Sequence, residues 1–452
     1  MKRNTLYILL LLSAVVLLQG CNNNNKTTYE PSNDPTVASL TFQKNDSFLG
    51  LAKAVFTIEE RLDTGIIYNV DSLDYGTRID KVVPNFRFKG SVVSTAILYS
   101  AFDTISLSGG DTVNFTVQPV YLQSISETGL AEKWYEIYVN VHQQDPDLYV
   151  WEQIADNIIE ASFSNQHAVI LNDVLYLFAS DGLQTKSLRS SDGKQWDEID
   201  SPFSLFNVAN VIAHDGKLYC FSDTEVATLE AGSDVWTITA LEAGLGFSIE
   251  QPVFSFNDSI WLVAIDNETQ LPILVTTADA TSFEPHESLS EQFPVSDFAA
   301  LTFTSKTGRK RAMIVGGFSA NGTSLNTRWN VEYDPTKGYH WEDFSIEQPS
   351  FASLTGVSVI FYGKKLDQHF FMFGGVDADN KIGEYDILES YDEGMNWKVP
   401  DIAHNVLPDV YKSRAHQSVL VDSKNNIYVI GGKSRTEVFT DVYRGKLNSI
   451  NW

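Results

Sequence analysis

The segment Ile427-Tyr428-Val429-Ile430-Gly431-Gly432 is a short apolar run that ends at a glycine doublet. Equivalent six-residue runs occur five times earlier in the chain, at steps of about 42 to 58 residues. An apolar run of this length is typical of a β-strand that is covered on both faces. The five earlier runs begin at Leu175, Leu218, Ile260, Ala312 and Phe370.

A turn and a further apolar run precede most of these segments, as in Ala168–Leu171, then Asn172-Asp173, then Leu175–Ser180. Asn and Asp tolerate the left-handed backbone of a two-residue hairpin turn. An aromatic residue then opens a polar strand in five of the units. These residues are Trp196, Trp236, Phe283, Trp341 and Trp397. Four strands per repeat at this spacing predict a β-propeller.

The sixth unit has no outer strand of its own before Trp452, whereas Tyr149–Ile154 has the pattern of an outer strand that no unit precedes. Pairing this segment with the last unit would leave no open sheet edge. The sequence therefore predicts an all-β chain with a six-bladed propeller over residues 148–452, closed by this N-terminal strand.

Residues 36–147 have a different pattern, in which strand-like segments alternate with turns that contain glycine or proline. Val37–Phe42 and Trp134–Val141 are the clearest of these segments. About 110 residues with strands at short intervals predict a β-sandwich that precedes the propeller.

The N-terminus has the pattern of a targeting segment. Leu6–Leu18 is an apolar run of signal-peptide length, and it leads directly into Leu18-Gln19-Gly20-Cys21, which resembles a lipobox. We expect residues 1–20 to be a lipoprotein signal peptide, Cys21 to carry lipid and residues 21–35 to be a flexible tether. The resemblance implies an outer-membrane lipoprotein that contacts the membrane through its lipid anchor only. Whether it faces the periplasm or the cell surface stays open.

Charge and cysteine content narrow the possible partners. The 452 residues have a formal net charge of -26, which disfavours binding to nucleic acid or to anionic lipid surfaces. The chain has two cysteines, and if Cys21 carries lipid, Cys220 has no partner for a disulfide. Because Cys220 lies in an apolar strand-like run, we expect a buried, inert thiol.

The later units carry motifs of known propeller families. The doublets Gly316-Gly317, Gly374-Gly375 and Gly431-Gly432 and the segment Arg414-Ala415-His416 resemble kelch repeats, and Ser390–Trp397 resembles the Asp-box hairpin of sialidase-like propellers. Units one to three lack the doublet. The chain therefore resembles a divergent kelch-like propeller of the galactose-oxidase central-domain type.

The N-terminal part carries a second resemblance. Asp71–Thr77, then Val83-Pro84 and a closing strand at Tyr135–Val141 are similar to the N-terminal domain of uncharacterised bacterial lipoproteins that also carry a kelch-like propeller. This resemblance covers nearly the whole chain and implies no activity.

These resemblances name two kinds of propeller enzyme, galactose oxidase and the sialidases. The sequence contains the active-site pattern of neither. No group of tyrosines, histidines and a crosslinked cysteine resembling the galactose oxidase copper site can be assembled, and the arginines do not form a sialidase-like triad. Spacings typical of metal sites are also missing. We therefore predict no catalytic residue, no metal and no cofactor.

Five residues are the candidates for ligand binding. His167 and His416 occupy similar places at the starts of inner strands in units that would be ring neighbours, and Arg414 lies beside His416. Each histidine could instead hydrogen-bond a loop backbone. Trp329 and Tyr339 are the candidate exposed aromatics for stacking on a sugar.

Three functions are compatible with these features. The favoured interpretation is a binding protein, not an enzyme, that recognises a glycan or an envelope protein through the loops at 319–327, 377–384 and 434–440. The alternatives are a carbohydrate-active enzyme with a divergent site at the channel mouth, and a structural subunit of an envelope complex.

Overall fold

A computed structural model describes the following residues of the chain: 29–45, 50–90, 92–344, 354–364, 367–401 and 403–451. The predicted signal peptide, Cys21 and the first part of the predicted tether lie outside these residues. The chain divides into two compact units between Asp145 and Pro146. No helix among the described residues is long and apolar enough to cross a membrane.

The described residues of the first unit form eight strands and a short 3-10 helix, Leu51–Lys53. A six-stranded sheet has the order β2-β3-β8-β7-β5-β6, in which β3 and β8 are parallel, and β1 pairs with β4 in a second sheet. The strands are β1 (Val37–Phe42), β2 (Phe56–Glu60), β3 (Thr64–Asn69), β4 (Pro84–Phe88), β5 (Val93–Tyr99), β6 (Thr104–Ser106), β7 (Val120–Ser126) and β8 (Glu132–Tyr138).

Both sheets of the first unit contribute to one hydrophobic core. Burial alternates along β7 and β8, as the period of two in a strand requires when one face is covered. Leu98, Leu122 and Ile137 are fully buried in this core together with Phe42 of the smaller sheet.

The second unit consists of consecutive antiparallel sheets. Sheet one contains β10 (Asn165–Leu171), β11 (Val174–Ser180), β12 (Thr185–Ser190) and β13 (Asp197–Ile199), and β9 (Tyr149–Ala155) precedes it. Sheet two contains β14 (Val211–His214), β15 (Lys217–Phe221), β16 (Glu225–Glu230) and β17 (Thr237–Ala240). Sheet three contains β18 (Phe247–Phe256), β19 (Ser259–Asp266), β20 (Pro272–Thr277) and β21 (Glu284–Ser288).

Three further sheets follow in the described part of this unit. Sheet four contains β22 (Ala299–Thr304), β23 (Lys310–Val315), β24 (Arg328–Asp334) and β25 (Gly338–Asp343). Sheet five contains β26 (Ser358–Tyr362), β27 (His369–Phe373) and β28 (Ile387–Ser390). Sheet six contains β29 (Ser418–Val421), β30 (Ile427–Ile430) and β31 (Val442–Leu447), and β9 pairs antiparallel with β31 as its fourth strand. Two 3-10 helices, Val208–Asn210 and Asn448–Asn451, complete the unit.

Inner strands of neighbouring sheets contact one another in a cyclic order. We use the term inner strand for the first strand of each sheet, namely β10, β14, β18, β22, β26 and β29. Each contacts the next, and β29 contacts β10. At that last contact the Ala168 backbone N–H donates to Ser418 Oγ at 2.7 Å.

Each hydrophobic cluster in the second unit joins two consecutive sheets, and one joins sheet six to sheet one. The second strand of each sheet contributes apolar side chains to the two clusters that join its sheet to the sheets on either side. In β11, Leu175 and Leu177 pack toward sheet six, whereas Tyr176 and Phe178 pack toward sheet two. Because alternate side chains point to opposite faces, such a strand is apolar at every position. Burial of each such side chain adds about 1.5–3 kcal/mol to the free energy of unfolding.

The prediction of an outer strand that starts at Trp397 in the fifth unit is wrong. In its place one bridge forms, in which Glu389 and Lys398 exchange backbone hydrogen bonds of 2.8 and 2.9 Å. The Trp397 side chain still packs on the cluster between sheets four and five. The described chain is therefore all-β, and sheet five has three strands whereas each other sheet of the second unit has four.

Candidate functional site

A cavity of about 360 Å³ lies where the inner strands begin. We call it the inner-strand cavity. All six sheets of the second unit line it, through the first residues of β10, β22, β26 and β29, through residues 207–209 before β14, and through Gln251 of β18. The lining is rich in amide, hydroxyl and imidazole groups, which are hydrogen-bonding groups of both kinds.

Asp297 and His416 form the one acid–base pair among the described residues of the cavity wall. The Asp297 Oδ1 and His416 Nδ1 atoms are 3.4 Å apart. Both residues precede an inner strand by two positions and have a left-handed backbone, with φ of 55° in each case. Asp and His are among the non-glycine residues that adopt this region most readily.

Opposing effects act on the ionisation of Asp297. Burial raises the pKa of the carboxyl group, but the hydrogen bond and electrostatic interaction with His416 and the positive charge of Lys433 lower it by more, so the pKa lies below the ordinary value. Asp297 therefore remains an ionised acceptor at neutral pH.

Lys433 supplies the positive charge of the cavity wall. It follows the glycine doublet of sheet six, and its backbone exchanges hydrogen bonds with Ala415. The Lys433 Nζ atom donates to Asn165 Oδ1 at 3.2 Å. Within the described lining, Asp297 is the one carboxylate and Lys433 the one lysine, so their formal charges cancel.

His167 also lies in the cavity wall, on β10. Its Nε2 atom is 3.2 Å from the Val211 carbonyl oxygen, which can only accept. Burial lowers the pKa of His167, so the ring is neutral and Nε2 carries its proton. His167 and His416 thus both line the inner-strand cavity, and His167 also contacts a backbone carbonyl, the alternative that the sequence left open.

Arg414 does not line the cavity. Its side chain is fully buried, forms an ion pair with Asp441 and packs over the rings of Tyr411 and Phe439. Its Nε–H donates to the Lys412 carbonyl oxygen at 2.9 Å. The prediction that Arg414 contacts a ligand finds no support in this geometry, because the guanidinium group has no exposed surface.

Trp329 and Tyr339 are not exposed loop aromatics, and that part of the prediction is wrong. Trp329 lies in β24 and packs on Phe293, with ring centroids 5.2 Å apart. Tyr339 lies in β25 and packs edge-on against Trp261 at 4.6 Å. Both belong to the cluster between sheets three and four, where burial of aromatic surface is the stabilising contribution.

The three long loops begin beside the inner-strand cavity. Each follows the second strand of its sheet, whose last residues pair with the first residues of the inner strand, as in Ala299 with Val315. Each loop is folded on itself by bridges at equivalent places. The bridges are Phe318 with Ser324, Val376 with Ile382, and Lys433 with Val438.

Sequence reasoning missed Asp297, Gly356 and Lys433. The first two occupy the position that His416 occupies in sheet six, two residues before the inner strand. Alignment of the units on their inner strands would have found them. Lys433 carries no comparable signal, because it follows the glycine doublet of sheet six and does not occupy an inner-strand position.

No set of three or more His, Cys, Asp or Glu side chains in the described part of the chain is placed to hold a metal ion. The isolated Asp297–His416 pair provides at most two ligands, fewer than the sites that bind zinc or calcium in proteins. The geometry offers hydrogen bonding and one acid–base pair.

Several solved structures are similar to this chain at low identity. The SapL1 lectin in complex with alpha methyl fucoside is 11% identical, with a TM-score of 0.38 over 60% of this chain and 90% of that chain. An endo-arabinase from Bacteroides thetaiotaomicron VPI-5482 is 11% identical, with a TM-score of 0.33 over 65% and 96%. YCF48 from Cyanidioschyzon merolae is 10% identical, with a TM-score of 0.36 over 67% and 99%. We transfer no ligand or activity from them.

No curated protein sequence matches the chain. Two family models do match it. Residues 21–139 match the N-terminal domain of DUF6242, a domain of unknown function, and residues 145–452 match the DUF6242 β-propeller domain. The chain therefore belongs to the DUF6242 family, with an N-terminal domain and a C-terminal β-propeller.

Proposed function

We propose that this chain is a binding protein of the cell envelope and that the inner-strand cavity recognises a carbohydrate. The observation that carries the proposal is the cavity wall, to which all six sheets contribute polar groups around the Asp297–His416 pair. Its volume of about 360 Å³ falls within the range of small-molecule sites. Hydroxyl groups of a sugar both donate and accept, which suits a wall of amides, hydroxyls and imidazoles.

The proposal includes a six-bladed, kelch-like ring. The cyclic contacts of the inner strands and the six clusters between consecutive sheets support it, and the pairing of β9 with β31 supports closure by the N-terminal strand. The glycine doublets support the kelch-like character. A Cβ atom at Gly316 would lie 2.0 Å from the Leu354 carbonyl oxygen, so glycine is required where these sheets approach.

The first unit completes the proposed architecture as a β-sandwich of two unequal sheets over residues 36–147. The shared core of the six-stranded and two-stranded sheets supports this assignment. The loops at 319–327, 377–384 and 434–440 would form the rim of the site, because each starts beside the cavity.

Titration calorimetry after a glycan-array screen tests the binding function. His416→Ala should weaken binding of the selected glycan by about tenfold or more, because one hydrogen-bonding partner of the ligand is lost. His340→Ala is the matched control, since His340 is exposed in β25 and outside the cavity. Equal affinities of the two variants, or a blank array, would contradict the proposal.

A carbohydrate-active enzyme is the second candidate, and the Asp297–His416 pair favours it. A carboxylate at Nδ1 orients a histidine so that Nε2 can act as a base. Most glycosidases use two carboxylates, whereas Asp297 is the one carboxylate in the described lining. Cleavage of the bound glycan by the wild type but not by His416→Ala would support the enzyme, and an intact glycan after prolonged incubation would support binding.

We also propose lipid anchoring at Cys21 and location in the outer membrane. The lipobox-like segment and the apolar run before it support this. A Cys21→Ser variant should move from the membrane fraction to the soluble fraction. Protease treatment of intact cells then distinguishes the two faces of the membrane, because a surface-exposed chain is digested and a periplasmic one is protected.

A further inference from the structure

In each of sheets four, five and six, the residue two positions before the inner strand has a left-handed backbone conformation. These residues are Asp297, Gly356 and His416, with φ of 55°, 63° and 55°. Their backbones are linked in a row. The Gly356 N–H donates to the Asp297 carbonyl oxygen at 3.2 Å, and the His416 N–H donates to the Gly356 carbonyl oxygen at 2.7 Å.

The middle residue of this row has no side chain, and the space is occupied by the neighbouring imidazole. A Cβ atom at Gly356 would lie 2.7 Å from both Cε1 and Nδ1 of His416. The ring crosses Gly356 and brings its Nδ1 atom to 3.4 Å from Asp297. A Cβ atom at position 356 would therefore require the imidazole to shift, and with it the Nδ1 atom that faces Asp297.

The pair leaves two hydrogen-bonding positions open to the cavity. The side chains of His416 and Asp297 are 24% and 40% exposed. Asp297 engages Nδ1 of the imidazole, and Nε2 has no partner among the described residues. In the neutral ring with its proton on Nδ1, Nε2 accepts hydrogen bonds, as do the carboxylate oxygens of Asp297.

The charge balance of the cavity differs from that of the whole chain. The chain has a formal net charge of -26, whereas the one carboxylate and the one lysine of the described lining cancel. A ligand with its own charge would enter beside a group of the same sign and would lose hydration without full compensation. A neutral ligand with several hydroxyl groups avoids this cost.

We propose that the Asp297–His416 pair accepts hydrogen bonds from two hydroxyl groups of an uncharged sugar, one at Nε2 of His416 and one at the Asp297 carboxylate, and that Gly356 is the positioning residue that allows the pair to form. This inference rests on the proposed carbohydrate-binding function and adds the ligand class and the residue that shapes the site. Because Nε2 lies on the side of the imidazole ring away from Asp297, the two acceptors point to different parts of a ligand, which suits hydroxyl groups at separate positions of a sugar.

Calorimetry with a defined sugar panel tests the ligand class. The probes are the methyl glycosides of glucose, galactose, mannose and fucose, with glucuronic acid and glucosamine as charged counterparts. We expect at least one neutral probe to bind the full mature chain about tenfold more tightly than either charged probe. Tighter binding of a charged probe overturns the ligand class but leaves carbohydrate binding intact, whereas no binding of any sugar overturns the proposed function itself.

Variants test the role of Gly356. Gly356→Ala should weaken binding of the selected neutral sugar by about tenfold or more, and Asp297→Asn should do the same. The matched control is Gly308→Ala, which also has a positive φ (79°) but has no atom within 4 Å of the added Cβ and lies at the far end of β22. Wild-type affinity in Gly356→Ala would overturn the positioning role.

Nitrogen NMR of the histidine side chains provides a readout that loss of stability alone would not change. The wild type should show the Nδ1–H form for neutral His416, and Asp297→Asn and Gly356→Ala should shift it toward the Nε2–H form. The Asp297→Asn variant keeps the size of the side chain, so it tests the pair even if Gly356→Ala does not fold. An unchanged tautomer in Asp297→Asn would overturn the proposed pair.

Discussion

Arg414 is fully buried and paired with Asp441, whereas His416, two residues later, lies in the wall of the cavity. The intervening Ala415 bridges to Lys433, which fixes the backbone between them. The Arg414 guanidinium group also stacks on Tyr411 and Phe439, so packing and charge both hold it in place. We therefore interpret Arg414 as a support for the loop that presents His416.

Arg414→Ala should lower the free energy of unfolding of the propeller by about 3–5 kcal/mol, because it leaves Asp441 buried without its partner. Urea unfolding followed by tryptophan fluorescence measures this. Arg444→Ala is the control, since Arg444 pairs with Glu152 at a partly exposed site and should cost less than about 1 kcal/mol. Equal effects of the two substitutions would contradict a structural role for Arg414.

Cys220 should be unreactive in the folded protein. Its side chain is fully buried in β15, and burial raises the pKa of the thiol far above its ordinary value. Raising the pH from 7 to about 9 should therefore not accelerate labelling by a thiol reagent, because the thiolate remains unpopulated. The measurement uses a Cys21→Ser chain, and rapid labelling without denaturant would show that Cys220 is exposed.

At the scale of the element, β9 and β31 join residues that are almost 300 positions apart in the chain. Gly445 of β31 lies opposite Trp151 of β9, and the indole ring covers the glycine. The Trp151 Nε1–H donates to Asn405 Oδ1 at 2.9 Å, which further fixes the ring. The lack of a side chain at Gly445 is thus a packing requirement of this strand pair.

Gly445→Ala should lower the free energy of unfolding by about 1–3 kcal/mol, because the added Cβ would lie 2.4 Å from the indole ring of Trp151. Trp151→Ala should remove this penalty, so the two substitutions should be coupled in a double-mutant cycle of denaturant unfolding. Lys446→Ala, at the next position of β31, serves as the control. Additive effects of Gly445→Ala and Trp151→Ala would contradict the packing of the two strands shown here.

At the scale of the whole molecule, each cluster of the second unit uses residues of that unit alone, and the division of the chain falls at Asp145. A chain that starts at Pro146 therefore retains every sheet-to-sheet core. A chain that starts at Asp156 loses β9 and exposes the backbone of β31 as an open edge.

The chain from Pro146 should unfold cooperatively and bind the selected glycan with the affinity of the full chain. The chain from Asp156 should unfold at lower urea concentration and aggregate more readily, since the edge strand is uncovered. Denaturant titration and light scattering measure these differences. Identical midpoints for the two fragments would show that β9 contributes nothing to the stability of sheet six.

The sequence by itself determined the all-β class, the C-terminal propeller domain and the places of the inner hairpins in its described sheets. It could do so because a strand buried on both faces must be apolar at every position, a pattern visible in a single chain. The tertiary structure decided which residues meet at the cavity. Asp297, Gly356 and His416 are about 60 residues apart from one to the next, and their proximity depends on loop backbones and on a missing Cβ, not on any local pattern. It also decided that Arg414, Trp329 and Tyr339 pack inward, because burial depends on neighbours brought from distant parts of the chain.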